Sequence, residues 1–308
     1  MYDHDYETKE TYRRHRKVIV SLLITVLILL VSVTGLLVYS FTSNVMTNLE
    51  VESFTPEEVA VTPEVTEKVN QFNNQIKNVL LIGIDSDQNK NEPQRSDSMT
   101  IVTLDDMHKS IKMTSLMRDS WVEIEGHGKD KLNHAYAYGG AKLLLKTINQ
   151  NFDMNLEDYV LVDFNNLIHI IDAIGGVDLY VTWQEAMYMN FNIENINKLN
   201  NSNIEKVEVK TQNIRLNGAQ ALSFARIRYL DSDYKRSERQ RILLLKVYER
   251  FKEVPLLELP GVIMKLSEYA KTSLNEGEIL DIASKALSND MGLHGIHFPT
   301  FQSSEEST

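Results

Sequence analysis

The chain has 308 residues, with 32 Lys+Arg against 43 Asp+Glu, a formal net charge of -11 and 43% hydrophobic residues. Those proportions argue against global disorder, and the acidic balance argues against a general binder of nucleic-acid backbones, whose affinity comes from Lys and Arg. Cysteine is absent, which excludes disulfides, thiolate zinc sites, iron–sulfur clusters and a cysteine nucleophile.

Val18 to Phe41 is a run of 24 residues without a charge. At about 1.5 Å per residue it is long enough to cross roughly 30 Å of hydrocarbon. Arg13, Arg14, His15, Arg16 and Lys17 precede it directly, and no Lys or Arg follows until Lys68. The positive-inside rule then makes 1–17 a cytoplasmic tail and 18–41 a membrane anchor, with everything later outside the cell membrane. A cleaved signal peptide has a shorter apolar core and a small-x-small site. Tyr39-Ser40-Phe41 is a poor one, so the anchor is expected to stay. Residues 1–17 carry +1, so -12 lies outside. The partners available there are envelope polymers and membrane lipid, and no nucleic acid is expected.

Residues 42–77 hold six glutamates, Pro56 and Pro63 and read as an extracytoplasmic stalk with a short helix over Glu64–Ile76. The folded domain is expected over 78–308. Val79–Ile84 is a continuous apolar run, as in a strand buried on both faces. Ser98–Leu104 and Ser110–Leu116 read as strands joined by the turn at Asp105–His108. Leu132–Phe152 reads as a helix interrupted at Gly139-Gly140. Tyr159–Phe164 reads as a strand, Asn165–Ile174 as a short helix stopped by Gly175-Gly176, and Val177–Val181 as a strand. Residues 184–213 are Asn-rich and weakly patterned, and read as a surface excursion. Asn217–Arg228 reads as helix running into strand, Ser237–Phe251 as an amphipathic helix, 255–288 as one or two helices, and Gly292–Phe298 as a closing strand. Alternating strands and helices in one block give an α/β (α+β) class, with a mixed central β-sheet flanked by helices.

Nine arginines lie beyond the anchor, at 95, 118, 215, 226, 228, 236, 239, 241 and 250. Guanidinium is planar and always charged, and suits bidentate phosphate or carboxylate binding. Arg95-Ser96-Asp97 leads into one strand and Asp85 ends another. If the two strands are neighbours, the carboxylates meet. They then suit a hard cation such as Mg²⁺, or else each serves an ordinary loop. Arg118-Asp119 follows a strand and reads as a site pair or as a surface ion pair. In an extended segment Arg226 and Arg228 share a face, and two adjacent cations repel unless an anion lies between them or water solvates both. Arg236, Gln240, Leu243, Val247 and Phe251 share a helix face, so Arg236 and Gln240 continue a buried stripe, and a buried Arg needs an anion. Asp233 either caps this helix or acts in proton transfer. Together these residues describe a pocket for a pyrophosphate with a hydrophobic tail.

These motifs resemble the LytR–CpsA–Psr family of bacterial cell-wall glycopolymer transferases. The matching stretches are Asn78–Asp85, Arg95-Ser96-Asp97-Ser98, Ser115–Asp119, Lys131–Tyr136 with Gly139-Gly140, Val162-Asp163-Phe164, Asp172–Val177 and Ala225–Arg228, followed by Asp233, Arg236, Arg239 and Gln240. They occur in family order over the motif core 78–252. The resemblance implies transfer of an undecaprenyl-pyrophosphate-linked glycopolymer, such as wall teichoic acid or capsule, to the C6 hydroxyl of a peptidoglycan sugar, forming a phosphodiester. It implies Asp85 and Asp97 as ligands of Mg²⁺ (or Mn²⁺). It implies Arg95, Arg118, Arg226, Arg228, Arg236 and Gln240 as pyrophosphate-binding residues, and an apolar tunnel lined from Leu167–Ile174 and Leu243–Phe251. Arg118, Asp233 and Arg239 are the catalytic candidates. Leu116-Met117 stands where the family usually has Ile-Pro. Three other readings use the same residues: a polyprenyl-pyrophosphate phosphatase, a non-catalytic lipid-pyrophosphate binding protein, and a transcriptional attenuator, which a tail of 17 residues disfavours.

Overall fold

The computed structural model describes residues 40, 43–71, 75–84, 93–200, 202–227, 233–255, 258–287 and 291–298. The chain divides into a unit ending at Thr47 and a unit from Asn48 onward. In the first, residues 43–47 are helical, and Thr47 Oγ1 donates to the Ser43 carbonyl at 2.8 Å. The expected anchor over 18–41 lies outside the described residues, Ser40 apart. Among the described residues no helix is long and apolar enough to cross a membrane.

In the second unit the order is β1 (Glu50–Val51), α1 (Pro63–Asn70), β2 (Ile76–Ile84), β3 (Ser96–Asp105), β4 (Ser110–Leu116), β5 (Trp121–Ile124) and β6 (Gly128–Lys131). Then come α2 (Leu132–Phe152), β7 (Asp158–Asp163), α3 (Phe164–Ala173), β8 (Val177–Val181), α4 (Trp183–Asn200), β9 (Gln212–Leu216) and α5 (Gly218–Ala225). The unit closes with α6 (Asp233–Lys252), α7 (Leu259–Ser267), β10 (Ala270–Thr272), α8 (Glu276–Ala286) and β11 (Gly292–Phe298). Among the described residues seven strands form one mixed sheet in the order β1-β10-β7-β2-β3-β4-β11. Two small hairpins, β5-β6 and β8-β9, stand beside it.

The apolar run in β2 serves two faces, as a period of two requires. Leu80, Ile82 and Ile84 pack with Leu144, Leu145 and Ile148 of α2 in one core. Leu81 and Gly83 take the other face, toward α3, α5 and α6. A second core joins the inner sides of α3 to α7 and the β8-β9 hairpin, through Ile171, Val177, Leu216, Ala221, Leu243 and Val262. The break expected at Gly139-Gly140 is present as a kink in α2, with Gly140 at φ +64°.

Three expectations are corrected. The fold begins upstream of Asn78: β1 pairs with β10, and Val59 and Val61 are buried in the α2-side core, so much of the expected stalk belongs to the domain. The helix expected over Glu64–Ile76 ends at Asn70, and Ile76 opens β2. Residues 184–213 are no loose excursion, because α4 buries Ala186, Met189 and Ile193 as a helical stripe. Its asparagines act as surrogate backbone: Asn190 Nδ2 donates to the Val207 carbonyl and its Oδ1 accepts the Val207 N–H, both at 2.8 Å.

Asp105 ties the β3-β4 turn. Its side chain is 2% exposed. Oδ1 accepts the His108 backbone N–H at 3.0 Å, Oδ2 accepts from Lys112 Nζ at 2.7 Å, and His108 Nδ1 lies 2.8 Å from Oδ2. Burial works to raise its pKa, but Lys112 and His108 outweigh it and hold the carboxyl well below the ordinary 3.8. A depressed folded-state pKa stabilises the fold fully above the unfolded value and loses that contribution as pH falls through the folded value. Asp105→Ala is expected to cost about 1–3 kcal/mol at neutral pH. Urea unfolding should show the gap to wild type narrowing from about pH 5 toward about pH 2.

Candidate active site

Four strand ends converge at one edge of the sheet. β2 and β3 are antiparallel, with Gly83 opposite Ser98 and Ile84 opposite Ser96. The register shift between them makes Asp97 the extra residue of a β-bulge. β2 and β7 are parallel, with Ile84 opposite Asp163. In the β3-β4 pair Met99 lies opposite Leu116, and two further residues of that register bring Arg118 level with Asp97.

The side chains meet accordingly. Arg118 Nη1 donates to Asp97 Oδ1 at 3.0 Å, and its Nε donates to Asp119 Oδ2 at 3.2 Å. Lys131 Nζ donates to Asp119 Oδ1 at 2.7 Å. The Asp97 side chain is 9% exposed and that of Arg118 is 23% exposed. Burial works to raise the pKa of Asp119, and the Lys131 hydrogen bond with the Arg118 charge lowers it further than burial raises it. At the end of β7, Asp163 Oδ1 accepts the Asn165 N–H at 2.7 Å and caps α3.

Directly behind this edge lies an apolar cavity between the sheet and the helices. Its sheet wall is Leu81, Ile82, Gly83, Ser98, Val160 and Val162, and its helix wall includes Phe164, Leu167, Ala225, Gln240, Leu243 and Leu244. Ser98 and Gln240 are its polar members. Gly83, Ser98 and Val162 each adjoin an edge residue in sequence, so the apolar space runs up to the charged edge. A Cβ on Gly83 would stand 3.0 Å from Cε1 of Phe164 and 3.0 Å from the Ser98 Cβ, so glycine keeps this wall open.

The remaining site candidates divide. Arg226 caps the C-terminus of α5 at φ -88°, ψ 2°, so it does not lie in the expected strand. Its guanidinium carbon stands 5.8 Å from the centroid of the Phe164 ring, which brings it to the cavity wall. Gln240 lines the cavity, and Arg236, one turn earlier on α6, is buried. Arg239, also buried, donates from Nε to Glu185 Oε1 at 2.9 Å and so ties α6 to α4. Arg95 is exposed just before β3, and its charge acts on the phenol of Tyr138. Asp233 opens α6. Asp85, which follows Ile84 at the end of β2, and Arg228 lie outside the described residues.

Among the described residues no group of three or more His, Cys, Asp or Glu could hold a metal ion. Of the two carboxylates expected to hold a cation, Asp97 is the one among the described residues, and its oxygen chemistry suits a hard ion. Mg²⁺ keeps several waters and takes one or two carboxylates beside substrate phosphates, so it needs no protein cage.

Sequence reasoning missed Gly83 and Lys131. A glycine inside an otherwise apolar strand signals close approach. Lys131 belongs to the β5-β6 hairpin, for which the alternating Trp121–Ile124 and the Gly126-His127-Gly128 turn are the sequence signature.

The site is thus an apolar cavity behind a charged edge of a mixed sheet covered on both faces. The profile of the LytR_cpsA_psr family matches residues 39–307. The chain belongs to that family. It is 34% identical over 221 residues to the regulatory protein MsrR of Staphylococcus aureus, covering 69% of this chain and 62% of the relative. It is 32% identical over 225 residues to the polyisoprenyl-teichoic acid–peptidoglycan teichoic acid transferase TagU of Bacillus cereus, covering 70% of this chain and 66% of the relative. The match thus spans less than two thirds of either relative's length. A solved structure of the LytR-CPS2A-psr family protein YwtF (TagT) with bound octaprenyl pyrophosphate lipid superposes with a TM-score of 0.53 at 26% identity, covering 73% of this chain and 78% of that one.

Proposed function

We propose that the protein is a membrane-anchored, extracytoplasmic phosphotransferase. It moves a glycopolymer from an undecaprenyl pyrophosphate carrier to the C6 hydroxyl of a peptidoglycan sugar and forms a phosphodiester. The observation that carries this reading is the apolar cavity running up to a charged strand edge. The carrier has the same two-part chemistry. Its isoprenoid chain gains about 25 cal/mol for each Å² removed from water, and its pyrophosphate needs fixed cations. The names of TagU and of lipid-bound TagT agree with it.

Phosphoryl transfer asks for positioning and charge neutralisation more than for covalent help. Arg118 and Arg226, with Arg95, Arg228, Arg236 and Gln240, bind the pyrophosphate oxygens. Arg118 also neutralises charge as the bond from the acceptor oxygen to phosphorus forms and the bond from that phosphorus to polyprenyl phosphate breaks. Asp233 is the candidate for taking the acceptor proton. Arg239, through Glu185, holds α6 in place. Mg²⁺, or Mn²⁺ in its place, held by Asp85 and Asp97 would neutralise phosphate charge as a Lewis acid. The uncharged run over 18–41 with the cationic tail before it supports the N-in, C-out anchor.

The test is a product assay on the purified full-length protein with a saccharide-bearing polyprenyl pyrophosphate. With peptidoglycan present, a glycan–peptidoglycan phosphodiester is expected, in step with released polyprenyl phosphate. Equal release of phosphorylated glycan without acceptor would identify a phosphatase instead. Tight donor binding without turnover would identify a binding protein.

A further inference from the structure

A second built cluster stands where β6 runs into α2. Asp130 Oδ2 accepts from His134 Nδ1 at 2.8 Å and from the Tyr138 hydroxyl at 2.7 Å, and Oδ1 accepts the Lys131 backbone N–H at 2.7 Å. A carboxylate only accepts, so Nδ1 carries the proton, and Nε2 is the ring nitrogen that Asp130 does not use. His127, from the β5-β6 turn, stacks on Tyr138 with ring centroids 4.1 Å apart and planes at 6°. His134 meets the same ring edge-on at 6.1 Å. Tyr138 is nonetheless 44% exposed. Hydrogen bonds from His134, Tyr138 and the Lys131 backbone hold Asp130 well below the usual carboxylate range, so at neutral pH it is an acceptor with lone pairs to spare.

This cluster adjoins the charged edge. The Asn133 N–H donates to the Arg118 carbonyl at 3.1 Å, Lys131 reaches Asp119 at 2.7 Å, and Arg95 acts on Tyr138. An exposed aromatic ring, fixed by a hydrogen bond at its tip and backed by an imidazole, is a prepared apolar surface with acceptors at its rim. The ring-face C–H groups of a pyranose complement such a surface, and its hydroxyls complement the rim.

We propose that Tyr138, His127, Asp130 and His134 form a saccharide subsite, which packs a pyranose against the aromatic stack and takes its hydroxyls on Asp130 and on His134 Nε2. The proposal rests on the transferase reading above. In that reaction two saccharides approach the edge, the acceptor glycan and the first sugar of the donor, and both present this chemistry.

The test uses the full-length protein in detergent and three probes: the β-1,4-linked N-acetylglucosamine tetramer, sugar-free octaprenyl pyrophosphate, and a saccharide-bearing polyprenyl pyrophosphate. Tyr138→Ala is expected to weaken a saccharide-bearing probe about tenfold or more, with octaprenyl pyrophosphate affinity and thermal transition unchanged. Tyr138→Trp should restore binding, and Asp130→Asn should weaken it without loss of fold. Weakening of the tetramer together with a raised acceptor KM assigns the subsite to the acceptor. Weakening confined to the saccharide-bearing donor assigns it to the donor sugar. If a folded Tyr138→Ala variant holds every saccharide probe as the wild type does, the subsite does not exist. Wild-type protein that binds the tetramer but no polyprenyl pyrophosphate would instead sink the transferase reading.

Discussion

Asp97→Asn is expected to lower transfer by at least about a hundredfold while leaving the thermal transition close to that of wild type. Asparagine keeps the shape, and a carbonyl oxygen can still accept from Arg118, which now stands 3.0 Å from Asp97 Oδ1. Arg118 also retains Asp119 at 3.2 Å, so the fold keeps its anchor at this edge. What is lost is one negative charge, 9% exposed, at the point where four strand ends meet. If Asp97 helps hold a divalent cation against the pyrophosphate, the variant loses both turnover and its response to added Mg²⁺. A variant with wild-type turnover and the same Mg²⁺ dependence would remove Asp97 from the metal assignment and leave it as a partner of Arg118.

Gly83→Leu is expected to weaken octaprenyl pyrophosphate binding by about a hundredfold while leaving inorganic pyrophosphate binding nearly intact. Its Cβ would already touch the Phe164 ring and the Ser98 Cβ at 3.0 Å, so the rest of the side chain must enter the cavity. The space it fills is the one an isoprenoid chain would occupy, whereas Arg118 at the charged edge is unchanged. Overpacking at this wall costs about 1–3 kcal/mol of stability, so melting of the ligand-free variant is measured alongside. Equal weakening of both ligands would mean that the cavity and the charged edge are not parts of one site.

Strands β2, β3, β4, β7 and β11 were legible from apolar runs and alternation, whereas β1 and the short β10, inside the stretch 255–288 read as helices, were not. The run Val79–Ile84 reads as a doubly covered strand, and it is one, with α2 on one side and the cavity on the other. Asp97 and Arg118 could be read as lying at strand ends. Their meeting depends on register and on a bulge between Gly83 and Ile84, which leaves no local signature. Arg226 was misread because Ala225–Arg228 alternates for four residues, as a strand would. A capping box at Asn217 and Gln220 starts a helix that instead runs to Ala225, and Arg226 ends it. The segment around Val59 looked like a stalk because isolated valines among glutamates carry no period. Its burial depends on α2, where Asn149 Nδ2 donates to the Val59 carbonyl at 2.8 Å, and β1 just upstream pairs with β10, more than 200 residues later in the chain, contacts no local pattern announces. In α4 the asparagines looked like loop residues, and the stripe of Ala186, Met189 and Ile193 beneath them was too short to stand out.

Mass spectrometry of the lipid carried out of the membrane by the purified full-length protein is the most direct test of a cavity built for a polyprenyl chain. The wild type is expected to release polyprenyl phosphate or pyrophosphate on denaturation, at about one per chain, and Gly83→Leu is expected to release almost none. Wild-type protein that carries no prenyl lipid, and that binds octaprenyl pyrophosphate no more tightly than inorganic pyrophosphate, would contradict the account.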